Sequence, residues 1–424
     1  MTHTTSLPNR RRSTATVWRN LSIRSIWLGF LVATMGTCFG LDFNITYHDS
    51  IPADVRSDVI RVIDEAAAAW EEILLDDVTI TFQLKWVDSF QNPAEGGRAS
   101  VYYMPSTYSD IRTALINKAK TEADRVAITH LEPGALRILL NRTSDNPNGA
   151  GSATPYLDAD NDANNHSMRI SLGNARVLGL FPAGLEFDDG RITMSGRPNW
   201  DYDRSDGITT GKADFYAIAL HEIGHLLGMS SLIDSRLSVN PGQADDYYTF
   251  LTPLDLFRYS KESVSENAVD WTSDARGKFL SGDGGQTAVA SFATGMFGDR
   301  GDPSHWGRDS DIDGIFEAAV YPMQTIEAAD ILALDLVGWE VAEASKELEI
   351  TSARLTGSGL YLEWTTVPGF SGYRIMVSNS PDKNAKSAAP KVLAETKKNS
   401  FVAPFAKGTK ALDTTRFYYV EAYN

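Results

Sequence analysis

The sequence predicts an α+β fold: a large mixed domain over residues 41–342 followed by a small all-β sandwich over residues 349–424. Three observations point there. Pro52 to Leu75 repeats apolar residues at helical spacing, and Val78 to Val87 alternates with β-branched residues. Asp214 to Gly228 is an apolar, helix-compatible stretch that carries His221, Glu222 and His225. Beyond residue 350 the pattern changes to short alternating strands rich in aromatic residues.

The chain has 424 residues, 42% hydrophobic and 22% charged, which leaves room for one large domain and a smaller one. Residues 1–40 carry Arg10, Arg11, Arg12, Arg19 and Arg24 and no acidic residue, then the apolar run Ile26 to Met35 and the small residues Gly36, Thr37 and Gly40. That is the pattern of a secretory signal peptide cleaved near Gly40, so a secreted or extracellular protein is expected, with the periplasm or cell surface as variants. The run is short for a membrane span and no other stretch reads as one; no stable membrane insertion is expected after cleavage. Without residues 1–40, 34 basic residues face 55 acidic ones, a formal charge of −21. Such a balance argues against nucleic acid or an anionic membrane as partner. Cys38 is the single cysteine, so neither a disulfide nor a cysteine metal site is expected in the mature chain.

In chain order, Leu41 to His48 reads as a strand. The helix from Pro52 to Leu75 has its proline near the start, and Val78 to Val87 follows as a strand. Tyr108 to Asp124 reads as a second helix and Ala135 to Leu140 as a short strand. Asp158, Asp160 and Asp162 then alternate as in calcium loops, which makes Ca²⁺ a candidate cofactor. The glycine and the closing glutamate of an EF-hand loop are missing, and a solvated acidic turn fits the same residues. Asp201, Asp203 and Asp206 form a second acidic cluster, for which turn and helix-cap chemistry competes with calcium. Between the clusters, Gly190 to Ser195 alternates, and a sheet edge is expected there to which a peptide could add by main-chain hydrogen bonds.

Ser230 to Thr249 reads as a polar loop, Thr252 to Tyr259 as a packed turn or short helix, and Lys278 to Phe292 as a hairpin. Gly301 to Gly314 is a Gly/Asp-rich loop containing His305-Trp306. Thr325 to Gly338 reads as a closing helix with Thr325 as N-cap. Residues 343–350 read as a linker. Tyr361–Trp364, Gly372–Val377, Ser400–Val402 and Arg416–Tyr423 follow as strands, with Trp364, Tyr373, Tyr418 and Tyr419 at sandwich-core positions. This last part resembles a fibronectin type III domain whose final strand would begin where the chain stops.

The chemistry is concentrated in His221-Glu222-Ile223-Gly224-His225-Leu226-Leu227-Gly228, an HExxHxxG motif. Residues four apart on a helix share a face, so both imidazoles project together and can chelate one Zn²⁺. Glu222 stands beside the metal, where it can take a proton from a zinc-bound water and deliver it to a leaving amine. Gly228 frees the backbone to end the helix. Two histidines placed by chance on a half-buried helix are the alternative, which the apolar flanks and the glycine disfavour. A catalytic zinc site needs a third donor. Three residues after Gly228 stands Ser231, a poor ligand, and the residues alone leave Asp234, His166 and His305 open.

HEIGHLLGMS, a long insertion, His305-Trp306 and Met323 before a helix ending in Gly338-Trp339 together resemble the leishmanolysin-type metzincin metallopeptidases, and in layout the secreted bacterial HEIGH-motif metalloproteases. The resemblance implies a zincin/metzincin-like catalytic fold, His305 as third zinc ligand and Met323 as the Met-turn residue. It also implies a cysteine-switch propeptide, for which no cysteine beyond residue 40 is available. The expected protein is therefore a secreted zinc endopeptidase acting on protein or peptide substrates. The alternative is a catalytically inactive, zinc-containing surface adhesion or binding protein, against which the intact Glu222 argues.

Overall fold

Strand β1 (Asp42–Tyr47) opens the larger part of the molecule. Helix α1 (Arg56–Glu71) follows and buries Val59, Val62, Ile63, Ala66, Ala67 and Trp70, the spacing that gives a helix one apolar face. It starts four residues later than Pro52, which lies in the entry turn. In β2 (Thr79–Val87) the inward residues Ile80, Phe82, Leu84 and Trp86 alternate with partly exposed ones. β3 (Gly97–Val101) comes next.

The helix expected over 108–124 is two helices, α2 (Tyr108–Lys118) and α3 (Glu122–His130). Thr121 breaks it. Its hydroxyl accepts the Asp124 N–H at 3.0 Å, while the Asp124 carboxylate accepts the Thr121 N–H at 3.1 Å. This reciprocal capping box starts a new helix four residues after the first ends.

β4 (Gly190–Ser195) completes the main sheet, whose order is β1-β2-β4-β3. The first three run parallel and β3 is antiparallel to β4. Gly190–Ser195 is thus an interior strand, and the edge expected there is supplied by β3 instead. Helix α4 (Phe215–Leu226) carries the HExxH residues and packs between the β3 edge and α1. The Trp70 indole of α1 donates to the Leu220 carbonyl at 3.1 Å, a buried bond that fixes the two helices together.

The remaining segments wrap the C-terminal end of α4. The polar stretch after it holds a short helix, Ile233–Leu237. Pro253–Phe257 forms a single 3₁₀ turn, and Lys278–Leu280 pairs with Ala290–Phe292 as the expected hairpin. Helix α5 (Ala328–Leu336) is capped by Glu327 and Asp330, not by Thr325, whose hydroxyl donates to Glu327 at 3.1 Å.

These coordinates come from a computed structural model that describes residues 15–16, 40–182, 185–237, 240, 242–307, 314–317, 323–342, 350–356, 359–365, 372–378, 391–404 and 417–423. The fold is mixed α+β. The chain divides into two compact units, residues 36–342 and residues 343–424 with 1–35. In the second unit Ile350–Leu355, Gly359–Trp364 and Ser400–Pro404 form one antiparallel sheet. Lys391–Thr396, Gly372–Ser378 and Phe417–Tyr423 form another, with Ala15–Thr16 paired beside the last strand. Ile350, Leu362 and Trp364 of the first sheet share a core with Tyr373, Ile375 and Val420 of the second. The rest of the expected signal peptide before residue 40, residues 343–349 of the linker expected over 343–350, and Tyr419's side chain lie outside the described residues, while Ile350 already belongs to a strand. Among the described residues no helix is long and apolar enough to cross a membrane.

Candidate metal centre

The centre is built on α4. Asp214 caps its N-terminus by accepting the Ala217 N–H at 3.2 Å. At the other end Gly228 takes φ +117°, the left-handed conformation that costs glycine least. The chain therefore turns back after His225, and Met229 returns its carbonyl to 2.5 Å from His225 Nδ1. His221 Nδ1 lies 2.7 Å from the Ile315 carbonyl. A carbonyl only accepts, so Nδ1 carries the proton in both rings and each Nε2 presents a lone pair to the centre.

His305 joins them from the loop before Trp306. Its Nε2 lies 3.0 Å from that of His221 and 3.1 Å from that of His225, and those two are 3.1 Å apart. With His221 and His225 in the tautomer their carbonyls require, no proton stands between their inward nitrogens. Lone pairs gathered this closely call for a cation. Three nitrogens each about 2.0–2.1 Å from a tetrahedral Zn²⁺ would lie about 3.3 Å apart, so the donor set fits that ion with a slight opening. Burial, then the neighbouring rings, hold His221 well below its ordinary range; burial lowers His225, and it takes His305 to about 3. All three imidazoles are neutral, the state in which they ligate. The Asp302 carbonyl accepts the His305 backbone N–H at 2.9 Å.

Glu222 is buried beside this group, on the side of the β3 edge. Burial pushes its carboxyl up to about 8, against a hydrogen bond from the Ala99 backbone and the charge of Arg98. The contact with β3 is close. A β-carbon at Gly97 would fall 2.8 Å from Glu222 Oε1 and 2.7 Å from Ile218 Cγ2. Behind the histidines lies Phe316, its ring centroid 5.9 Å from His221 and 5.8 Å from His225, stacked in turn on Trp70. Comparison with known protein families, curated proteins and solved structures finds no match.

The structure thus brings His221, His225, His305 and Glu222 together. The other third-ligand candidates are engaged elsewhere. Asp234 accepts the Ser273 hydroxyl at 2.8 Å and the Met296 N–H at 2.7 Å. Exposed His166 pairs with Asn161 at 3.0 Å. Ser231 donates its hydroxyl to Asp255 at 2.8 Å and its N–H to the Ser304 hydroxyl at 2.9 Å, so it anchors the loop bearing His305. Met323 has φ +68°, and its N–H donates to Asp214 at 2.9 Å, at the start of α4.

Of the acidic residues, Asp158 and Asp160 gather with Asp245, not with Asp162, their carboxylate oxygens within 4.8 Å of one another. Asp162 instead accepts the Asn164 N–H at 3.2 Å. Asp201 accepts the Thr209 N–H at 2.8 Å and Asp203 the Ser205 N–H at 2.9 Å, the turn chemistry weighed against calcium; Asp206 stands in the same turn. Sequence reasoning missed Asp245, Phe316 and the β3 edge. Asp245 lies 87 residues from Asp158, and no local pattern links them.

Proposed function

We propose that the larger unit is a zinc-dependent endopeptidase of metzincin-like fold that cleaves extended protein or peptide chains outside the cytoplasm, and that the smaller unit is a fibronectin type III-like module. The observation that carries the reading is the convergence of three neutral Nε2 donors next to a buried glutamate. Among the described residues three donors gather, which leaves one position open, as a catalytic site needs, where a structural zinc site would be closed by four. Held by His221, His225 and His305, Zn²⁺ supplies Lewis acidity for a water and the scissile carbonyl, and a positive charge that favours the ionised form of Glu222.

The chain's own residues do the rest. Glu222 takes the proton of the attacking water and passes it to the departing amine. The Ala99 backbone faces the glutamate from the sheet edge. The outer edge of β3 has no strand partner among the described residues. An extended substrate can pair there, which would bring its main chain beside Glu222. Exposed Arg98 and half-buried Glu95, paired at 2.6 Å, stand at and just before this strand.

Glu222→Gln is expected to keep the metal and lose cleavage of an unfolded protein substrate by at least about 100-fold, since an amide accepts no proton. Metal content and proteolysis are measured on the same sample. Full metal with undiminished cleavage would remove Glu222 from the mechanism.

A further inference from the structure

Asp330 is fully buried, and none of the described salt bridges includes it. A carboxylate in that position is costly unless hydrogen bonds replace its water. Asp330 finds them on three separate segments. Oδ1 accepts the Trp306 indole N–H at 2.7 Å. Oδ2 accepts the Ile315 N–H at 2.9 Å and the Glu327 N–H at 2.8 Å. Capping α5 needs only the last of these.

The other two bonds lead to the metal centre. Trp306 follows His305 directly, and its own N–H donates to the Phe316 carbonyl at 2.7 Å. The His305 loop is thereby tied to Ile315 and Phe316. Ile315 gives its carbonyl to His221 Nδ1, and Phe316 packs behind His221 and His225. We propose that Asp330 is a positioning residue for the centre: one buried carboxylate sets the third ligand through Trp306 and orients the first through Ile315. The inference rests on the metal-centre reading above. Asparagine cannot replace the aspartate, because it offers one oxygen and turns an NH₂ group toward N–H donors.

The test uses the full chain, as wild type, Asp330→Asn and Trp306→Phe. Zinc affinity is measured by competition with a chromophoric chelator, geometry by the visible spectrum of the Co²⁺-loaded protein, and fold by the thermal midpoint of the metal-stripped protein. Asp330→Asn is expected to weaken zinc binding about 10- to 100-fold, the range found for outer-sphere partners of ligating histidines. Trp306→Phe, which removes a single donor, is expected to weaken it less, and both are expected to alter the Co²⁺ spectrum. A lowered thermal midpoint with wild-type zinc affinity and spectrum would overturn the proposal, leaving Asp330 a merely structural residue. If Asp330→Asn does not fold, Trp306→Phe decides by the same readouts. Failure of the underlying reading looks different. A wild-type chain that takes up neither zinc nor cobalt removes the centre and this inference with it. A wild-type chain that binds zinc tightly and cleaves nothing removes the peptidase, while weakened zinc binding in the two variants still supports the positioning role.

Discussion

Ser231 stands three residues after Gly228, and the structure uses it to hold the segment of the candidate third ligand: its N–H meets the hydroxyl of Ser304, one residue before His305. His305→Ala is therefore expected to lower zinc affinity by more than the about 100-fold that an outer-sphere partner commands, and to abolish cleavage. Asp234→Ala should leave zinc content near normal, because its carboxylate serves Ser273 and Met296. Metal analysis of the two variants checks both, and metal lost only with Asp234→Ala would reassign the third ligand. Gly97→Ala probes the other side of the centre. Its new β-carbon would press on Glu222 Oε1, so cleavage should fall about tenfold or more with zinc retained. His221, Glu222, His225 and Gly228 were legible in the sequence because one helical turn and one helix end dictate their spacing. His305 was not fixed by spacing, since 80 residues separate it from His225. What closes that gap is a set of single bonds, Ser231 to Ser304 and Ala293 to His305, that no periodicity announces.

At the level of elements, α1, β2 and α4 were legible because each carries a strong apolar period. β3 was not: Gly97-Arg98-Ala99-Ser100-Val101 has little of the β-branched character that marks a strand. It is a strand because β4 pairs with it and α4 packs on it, and both partners are distant in sequence. The same non-local pairing made Gly190–Ser195 an interior strand, which its alternation alone could not reveal. The break between α2 and α3 did have a local signal, Thr121 with Asp124 three residues on. Thr121 also donates its hydroxyl at 2.8 Å to Asp335 of α5, which joins the two elements through a buried carboxyl. Burial, then the charge of Asp124, push Asp335 up to about 7. A carboxyl whose pKa is higher folded than unfolded favours the fold at low pH. That contribution is lost as pH rises from about 4 through 7. Asp335→Asn should hence raise stability at pH 8 by on the order of 1–3 kcal/mol and change little at pH 4. Thermal midpoints of the two proteins at both pH values check it; parallel curves would show that Asp335 does not titrate in this way.

For the molecule as a whole, the apolar core of the larger unit runs from Leu41 to Trp339, and that of the smaller one from Ile350 to Val420. Neither core includes a residue of the other. Residues 36–342 are accordingly expected to fold, bind zinc and cleave peptide without residues 343–424, as a domain with its own core should. A truncated chain that melts without cooperativity, or takes up no metal, would show that the larger unit depends on the smaller. The division was visible beforehand as a change from mixed elements to short aromatic strands. The pairing of Ala15–Thr16 with the last strand was not, because two residues carry no pattern.

The way the three histidines are distributed along the chain has a mechanical meaning. His225 and His305 bracket a stretch of 80 residues, and beyond Cys38 the chain has no thiol with which to staple it. A metal held at both ends would cross-link this stretch and limit the unfolded chain as a disulfide does. Chelation becomes the counterpart of reduction. EDTA should lower the melting temperature of the wild-type protein by several degrees and leave that of His305→Ala nearly unchanged. If the proposed zinc chemistry holds, the concentration of free metal around the protein would set how long it lasts as well as how fast it works.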